Sequence, residues 1–398
     1  MPTRRHVLGG FCAACALGTT ALIDGTLPFG TGGAHAQSTR IAPGYRPAEG
    51  SDEAGLWYQT ERAEQNVRAS RFRITHPEVA GYVTDLVCRL AGDYCRDIRV
   101  YVIRTPYFNA QMSPNGMMQI WSGLLLRARN EAQLAAVVGH EIGHFVYGHG
   151  IERWRDARDK VDFVQVLNLG LALAGVGIIG VATSLIAAAS IAGFSRDQER
   201  EADTFGLERM AQLGYDPIQA SEVWAQLIRE EDAAEKKTNR EVFFASHPAP
   251  AERMTTLRQM GEQKRGAGSA ELHRDRYASR LAAVRADLFA DELRLRQYGR
   301  TQALLDQLLL DGPTGELLFL RGEVFRLRGS YGDDARARDA FGSAIATTTA
   351  PPEVHRSLGL VQWKAGDRAA AKAEFLRYLE RKPNANDRAM IQSYLEFQ

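Results

Sequence analysis

A chain of 398 residues exceeds one ordinary domain, so two folded parts are expected once any targeting segment is removed, each long enough to bury a core. Apolar residues at 45% and charged residues at 24% are ordinary globular usage. The 49 basic and 48 acidic residues leave a net charge of +1 and are interspersed, which excludes a nucleic-acid or other polyanionic partner.

Residues 1–36 read as an export signal: Arg4 and Arg5 form the charged start, an apolar run through Phe11, Ala16, Leu17 and Leu22 follows, and Ala34-His35-Ala36 supplies a small-x-small cleavage site. The mature chain then begins near Gln37. Thr3 to Leu8 also resembles a twin-arginine signal; a Sec-type signal stays open, and both routes lead out of the cytoplasm. An uncleaved anchor is disfavoured because the apolar run is short and broken by Gly18, Asp24 and Gly25. Cys12 and Cys15 fall inside the signal, leaving Cys88 and Cys95. On a continuous helix their Cα atoms would lie about 10 Å apart, beyond disulfide reach. A pair therefore needs a chain break, for which Gly92-Asp93 is suited, and a disulfide and two buried thiols both stay open.

Residues 37–50 are rich in Pro, Gly and Ser and read as extended. A first helix is predicted from Glu53 to Ala69, and a second from Pro77 with Val79, Val83, Leu86, Val87 and Leu90 at helical spacing. Ile98 to Ile103 reads as a strand, and Met117 to Trp121 as another after the Ser113-Pro114-Asn115-Gly116 turn, with Asn109-Ala110 between them. Asn130-Glu131 opens a helix through Leu134, Val137 and Val138 into His140-Glu141-Ile142-Gly143-His144. Phe163 to Ser195 carries no charge and is long enough to span a bilayer. Its Gly/Ala-rich composition favours a dipping or membrane-surface hairpin, or a cover over the site, because one span would separate His144 from the later glutamates. Ser195-Arg196-Asp197 then leads a helix holding Glu199, Glu201 and Asp203, and a further helix runs from Pro217 to about Glu235.

Lys236 to Arg240 is a polar loop, and Gly261 to Ser269 reads as the linker between domains. Beyond it the chain repeats. Gly322 and Gly359, Gly329 and Gly366, and Phe341 and Phe375 pair at a period near that of a 34-residue helix-turn-helix unit with a short insertion in Ser330 to Asp339. This resembles the tetratricopeptide repeat, with Pro383 closing the last unit and a degenerate earlier copy around Ala286 to Leu310.

Four residues apart on a helix, His140 and His144 project from one face, which lets two imidazole nitrogens reach one zinc ion. Glu141 lies about 100° round the helix, placed to accept a proton from a water the metal has made acidic and to pass it to a departing amine. A catalytic zinc needs a third protein ligand, and Glu199-Arg200-Glu201-Ala202-Asp203 offers it. Glu199 and Asp203 share a face, so Glu199 is assigned as ligand and Asp203 as hydrogen-bond partner of a ligand histidine; Glu201 is the fallback ligand.

His140-Glu141-x-x-His144, Glu199-x-x-x-Asp203 and Ser246-His247-Pro248 together resemble the metallopeptidase family that includes HtpX, the CAAX prenyl protease and periplasmic BepA-like enzymes, peptidase family forty-eight of the metallopeptidases. The likeness spans about Phe72 to the end and includes Asn109-Ala110 and Gly123-Leu124 ahead of the zinc helix. The BepA-like branch fits best, through its combination of export signal, catalytic domain and carboxy-terminal repeats. The resemblance implies a mainly α fold with a small β-sheet: a gluzincin-type metallopeptidase domain over residues 51–260, including segment 163–195, then an α-helical tetratricopeptide-repeat domain over 270–398. It carries Glu199 over as third ligand of one zinc per chain. The lack of several clear transmembrane helices departs from the HtpX and prenyl-protease members and speaks against prenylated substrates.

For His247 three readings stay open: a plug on the zinc, a donor to the developing oxyanion, and a histidine packing the loop before Pro248. Arg253 binds a substrate carbonyl or pairs with an acid, and His149, out of phase with His140 and His144, is left structural. The strand Met117 to Trp121 is expected to be the edge that aligns an extended peptide beside the metal. The expected function is an exported, periplasmic zinc endopeptidase acting on unfolded or misassembled proteins. Outer-membrane protein quality control, and docking of the repeats on an assembly machine, are what the resemblance implies. Peripheral membrane contact would come through 163–195. Competing readings are a chaperone or scaffold with a latched zinc site, and an integral membrane protease.

Overall fold

The computed structural model describes residues 40–160, 193–235, 243, 246–247, 250–265 and 270–397. Residues 1–36, read above as an export signal, the polar loop 236–240 and residues 163–192 of the uncharged segment lie outside the described residues. Among the described residues no helix is long and apolar enough to cross a membrane.

Ser51 starts helix α1 (Asp52–Ala69) by accepting the Ala54 N–H, and Pro77, whose ring presets a helical φ, starts α2 (Pro77–Ala91). The α2 residues spaced for one face, Val79, Val83, Leu86, Val87 and Leu90, are all fully buried. Gly92, at φ 60°, ends that helix, and the 3-10 turn Gly92–Asp97 doubles the chain back. This brings the Cα of Cys95 to 4.6 Å from that of Cys88, and the two form a disulfide. Of the two states the sequence left open, the chain break decides for the pair.

Three strands follow: β1 (Arg99–Ile103), β2 (Ala110–Met112) and β3 (Met117–Trp121). Their order is β1-β3-β2, with β1 parallel and β2 antiparallel to β3. Met117–Trp121 is therefore the central strand, paired on both sides, and not the expected edge. The edge beside the site is β2, a strand too short to show an alternating pattern in the sequence.

After α3 (Ser122–Arg127), the Asn130 side chain caps α4 (Glu131–Val146), every residue of which is buried. Then come α5 (His149–Lys160), α6 (Arg196–Gln212), α7 (Gln219–Asp232) and α8 (Pro250–Lys264). Ser195 and Gln198 close a reciprocal capping box at the start of α6. Helices α4 and α6 meet backbone to backbone: a Cβ on Gly143 would lie 2.8 Å from Ala202 Cα, and one on Gly206 would lie 2.9 Å from the His140 nitrogen. The first part of the stretch read as a linker, Gly261 to Lys264, is the last turn of α8.

Seven helices follow among the described residues: α9 (Arg274–Arg294), α10 (Tyr298–Leu310), α11 (Gly315–Arg328), α12 (Asp333–Ile345), α13 (Glu353–Lys364), α14 (Arg368–Arg381) and α15 (Arg388–Glu396). The repeated glycines divide into two physical roles. Gly322 and Gly359 let the rings of Phe341 and Phe375 lie against a helix backbone, since a Cβ there would sit 2.3 and 2.6 Å from the ring carbons. Gly329 and Gly366 adopt φ of 63° and 88°, the left-handed conformation that turns one helix into the next. One hydrophobic cluster runs from Val79, Leu134 and Trp224 through Leu288 and Leu304 to Val324, so the first repeat helices share the core of the preceding helices. Buried Arg127 fastens them further, bonding Glu230 at 2.7 Å and Glu292 at 3.1 Å.

Because the Phe375 ring has nowhere to retreat, Gly359→Ala is expected to lower stability by about 1–3 kcal/mol in urea unfolding. Gly342→Ala, with open space around its Cβ in helix α12, should lose nothing. Equal unfolding midpoints for the two variants would reject this account of the repeat.

Candidate metal centre

Four side chains from three parts of the chain converge at the α4–α6 contact. His140 and His144 come from α4, Glu199 from the first turn of α6, and His247 from the turn after Phe243, whose carbonyl accepts the His247 N–H. All four are buried, and one ligand atom from each lies within 4.8 Å of the others. His140 Nε2 is 3.0 Å from His144 Nε2, and Glu199 approaches them at 3.7 and 3.5 Å. His247 Nδ1 is 3.2 Å from His140 Nε2 and 2.8 Å from Glu199 Oε1. A tetrahedron with bonds of about 2.1 Å to its centre has edges of about 3.4 Å, so the spacing suits a zinc ion.

The chemistry of the donors gives the same answer. Asp203 Oδ1 lies 2.9 Å from His140 Nδ1 and accepts its N–H, leaving Nε2 a lone pair among a carboxylate and other imidazoles, with Arg253 Nη2 3.2 Å away at the edge of the cluster. A cation at the centre of these acceptors resolves their mutual repulsion. Burial draws His140 down to about 4, with the Arg253 charge adding to it, and draws His144 well below its ordinary value, with His140 adding to it. Burial acts to raise Glu199, but the charges of His247 and Arg253 and the close approach of the His144 and His247 rings outweigh it and hold it well below the usual carboxylate range. Neutral imidazoles and an ionised carboxylate are the forms a metal requires. Burial pushes Glu141 up to about 7; His247, whose Nε2 lies 3.4 Å from Glu141 Oε1, opposes the rise and Glu199 adds to it.

Arg253 does not face outward to a substrate. It donates to Asp203 at 2.9 and 2.6 Å, pairs with Glu199, and stacks its guanidinium 4.3 Å over the Trp224 ring. Of its two sequence readings, the structure shows the pairing with acids. Glu201, the fallback ligand, points away from the cluster and meets His149 Nε2 at 3.1 Å. His149 is fully buried with Nδ1 2.9 Å from His144 Nδ1, so it contacts the site. Helical phase missed it because α4 ends at Val146 and Gly148, at φ 69°, redirects the chain before His149. Phe194 stacks on His144 at 3.7 Å between ring centroids and carries Arg153 on its ring; no local pattern marked either residue.

The profile of Peptidase family M48 matches residues 74–261. The chain is 28% identical over 280 residues to a putative beta-barrel assembly-enhancing protease of Vibrio cholerae, covering 60% of this chain and 57% of that one. It is 33% identical over 162 residues to the mitochondrial metalloendopeptidase OMA1 of Schizosaccharomyces pombe, covering 40% and 45%. Against the beta-barrel assembly-enhancing protease of Escherichia coli the identity is 26% over 210 residues, covering 50% and 42%. The chain thus spans about half the length of the curated relatives it matches.

Removing Arg253 leaves Glu199 and Asp203 buried without their counter-charge. In urea unfolding of the metal-free chain, Arg253→Met should cost about 3–5 kcal/mol, and zinc should return part of that loss by supplying positive charge at the same place. Unchanged stability of the metal-free variant would show that the pairing holds nothing together.

Proposed function

Because residues 74–261 belong to peptidase family M48, we propose that this chain is an exported, periplasmic zinc endopeptidase that hydrolyses unfolded or misassembled envelope proteins in outer-membrane protein quality control. The observation that carries this reading is the buried His140, His144, Glu199 and His247 cluster with the Glu141 carboxylate beside it. The names of two relatives, each a beta-barrel assembly-enhancing protease, support the cellular role.

His140, His144 and Glu199 would hold one zinc per chain, and Asp203 would fix His140 through its Nδ1. Zinc bound there supplies a Lewis acid for the peptide carbonyl and an activated water. Glu141, poised near neutrality by burial, takes the proton of the attacking water and hands it to the departing amine. Strand β2 aligns the substrate: its bonds to β3 fall on Asn109 and Ser113, so the main chains of Ala110 and Met112 face the opposite side, where an extended peptide adds as a further strand. The repeats dock substrate or an assembly machine, and any peripheral membrane contact belongs to segment 163–195.

A second reading, a chaperone or scaffold with a latched zinc site, rests on His247. A catalytic zinc keeps one position open, and His247, whose Nδ1 lies 2.8 Å from Glu199 Oε1, would be a fourth protein ligand in that position. We read this arrangement as a resting form in which His247 is the plug; substrate entry then requires His247 to withdraw, after which its imidazole is placed to donate to the oxyanion.

The chain from Gln37 should bind about one zinc and cleave unfolded casein, and a chelator should abolish cleavage. Glu141→Gln should keep the metal and lose at least about 100-fold in rate. Absence of zinc from both proteins would sink the assignment. His247→Ala should speed casein cleavage if the plug is the limiting step, whereas a slower variant would make His247 a participant in the chemistry rather than a latch.

A further inference from the structure

Deepening the zinc reading above and resting on it, the geometry points to His149 and Glu201 as a two-residue relay that positions His144 by setting which of its nitrogens carries the proton. His144 turns Nε2 into the cluster, and its Nδ1 lies 2.9 Å from His149 Nδ1. The far nitrogen of His149, Nε2, lies 3.1 Å from Glu201 Oε2. The chain of bonds has only one direction once its end is an ionised carboxylate. Glu201 can only accept, so it takes the Nε2–H of His149. His149 Nδ1 is then bare and accepts the Nδ1–H of His144, which leaves His144 Nε2 free of a proton and aimed at the metal position. Reversed, the same two rings would place a proton on His144 Nε2 and close the site to any cation.

The rings are fixed to hold this line. His149 stacks against Tyr147, at 5.6 Å between centroids and 18° between planes, while Phe194 lies flat on His144 at 3.7 Å and 17°. Glu201 sits about 200° round α6 from Glu199 and cannot reach the cluster itself. His149 spans that gap from the start of α5. One helix, α6, therefore serves all three positions of the site: Glu199 enters it, Asp203 holds His140 directly at 2.9 Å, and Glu201 holds His144 at one remove.

The test measures zinc dissociation constants by chelator competition for the parent chain, His149→Phe, Glu201→Gln and the double variant. Nitrogen-15 NMR of histidine-labelled, metal-free protein then reads the His144 tautomer. His149→Phe should bind zinc about 10–100-fold more weakly, and Glu201→Gln more weakly in the same sense. The double variant should be no weaker than His149→Phe alone, because Glu201 acts only through His149. The parent should show the Nδ1–H tautomer at His144, and each single variant should populate Nε2–H. Unchanged affinity and tautomer, or losses that add in the double variant, would overturn the relay. Should His149→Phe not fold, Glu201→Gln, at a partly exposed side chain, carries both measurements alone. Failure of the parent to bind zinc would defeat the metal reading, while the metal-free tautomer still decides the relay.

Discussion

The candidate metal centre depends on how closely two helix backbones approach. Helices with ordinary side chains between them pack with axes about 8–10 Å apart, and a glutamate side chain is short. Gly139, Gly143 and Gly206 leave three Cβ atoms out of the crossing of α4 and α6, to the point that a Cβ on Gly139 would already lie 3.1 Å from Gly206 Cα. Only at that separation do Glu199 and Asp203 on one helix reach the two nitrogens of His140 on the other. The glycine inside the His140–His144 turn is therefore as much a part of the site as the histidines that flank it.

A contact this tight places several charges out of water, and the structure compensates each with another. Glu199 and Asp203 share Arg253, whose guanidinium rests on Trp224. The same device joins the repeats to the catalytic helices, where Arg127, Glu230, Glu292 and Arg300 form a network almost wholly closed to solvent. Breaking such a set by removing one partner is costly, whereas the intact set adds little net stability over apolar packing. Its consequence is geometric. The first repeat helices are held in register with α3 and α7, so a protein bound by the repeats would meet the metal centre in a defined orientation.

Much of this was legible along the chain. The four-residue spacing of His140 and His144, and of Glu199 and Asp203, sets each pair on one helix face. The recurrence of Gly322 and Phe341 as Gly359 and Phe375 marked the repeat, because each glycine exists to admit its ring. Other features had no periodic trace. β2 is three residues long, and its pairing made Met117–Trp121 central instead of an edge. His149 follows a left-handed glycine that breaks the helical phase by which it had been set aside. Whether Cys88 and Cys95 pair was decided by one turn at Gly92.

The sequence by itself determined the helices, their buried faces, and which residues on each face had the chemistry to bind a metal or move a proton, because hydrophobic and polar periodicity is a local property of the backbone. The tertiary structure alone decided which faces meet. It brought His247 against His140 across 107 residues, gave Arg253 to Asp203, and turned Glu201 toward His149. Those contacts depend on close packing between distant elements, where a missing Cβ or one left-handed turn settles the geometry, and no spacing along a single segment encodes them.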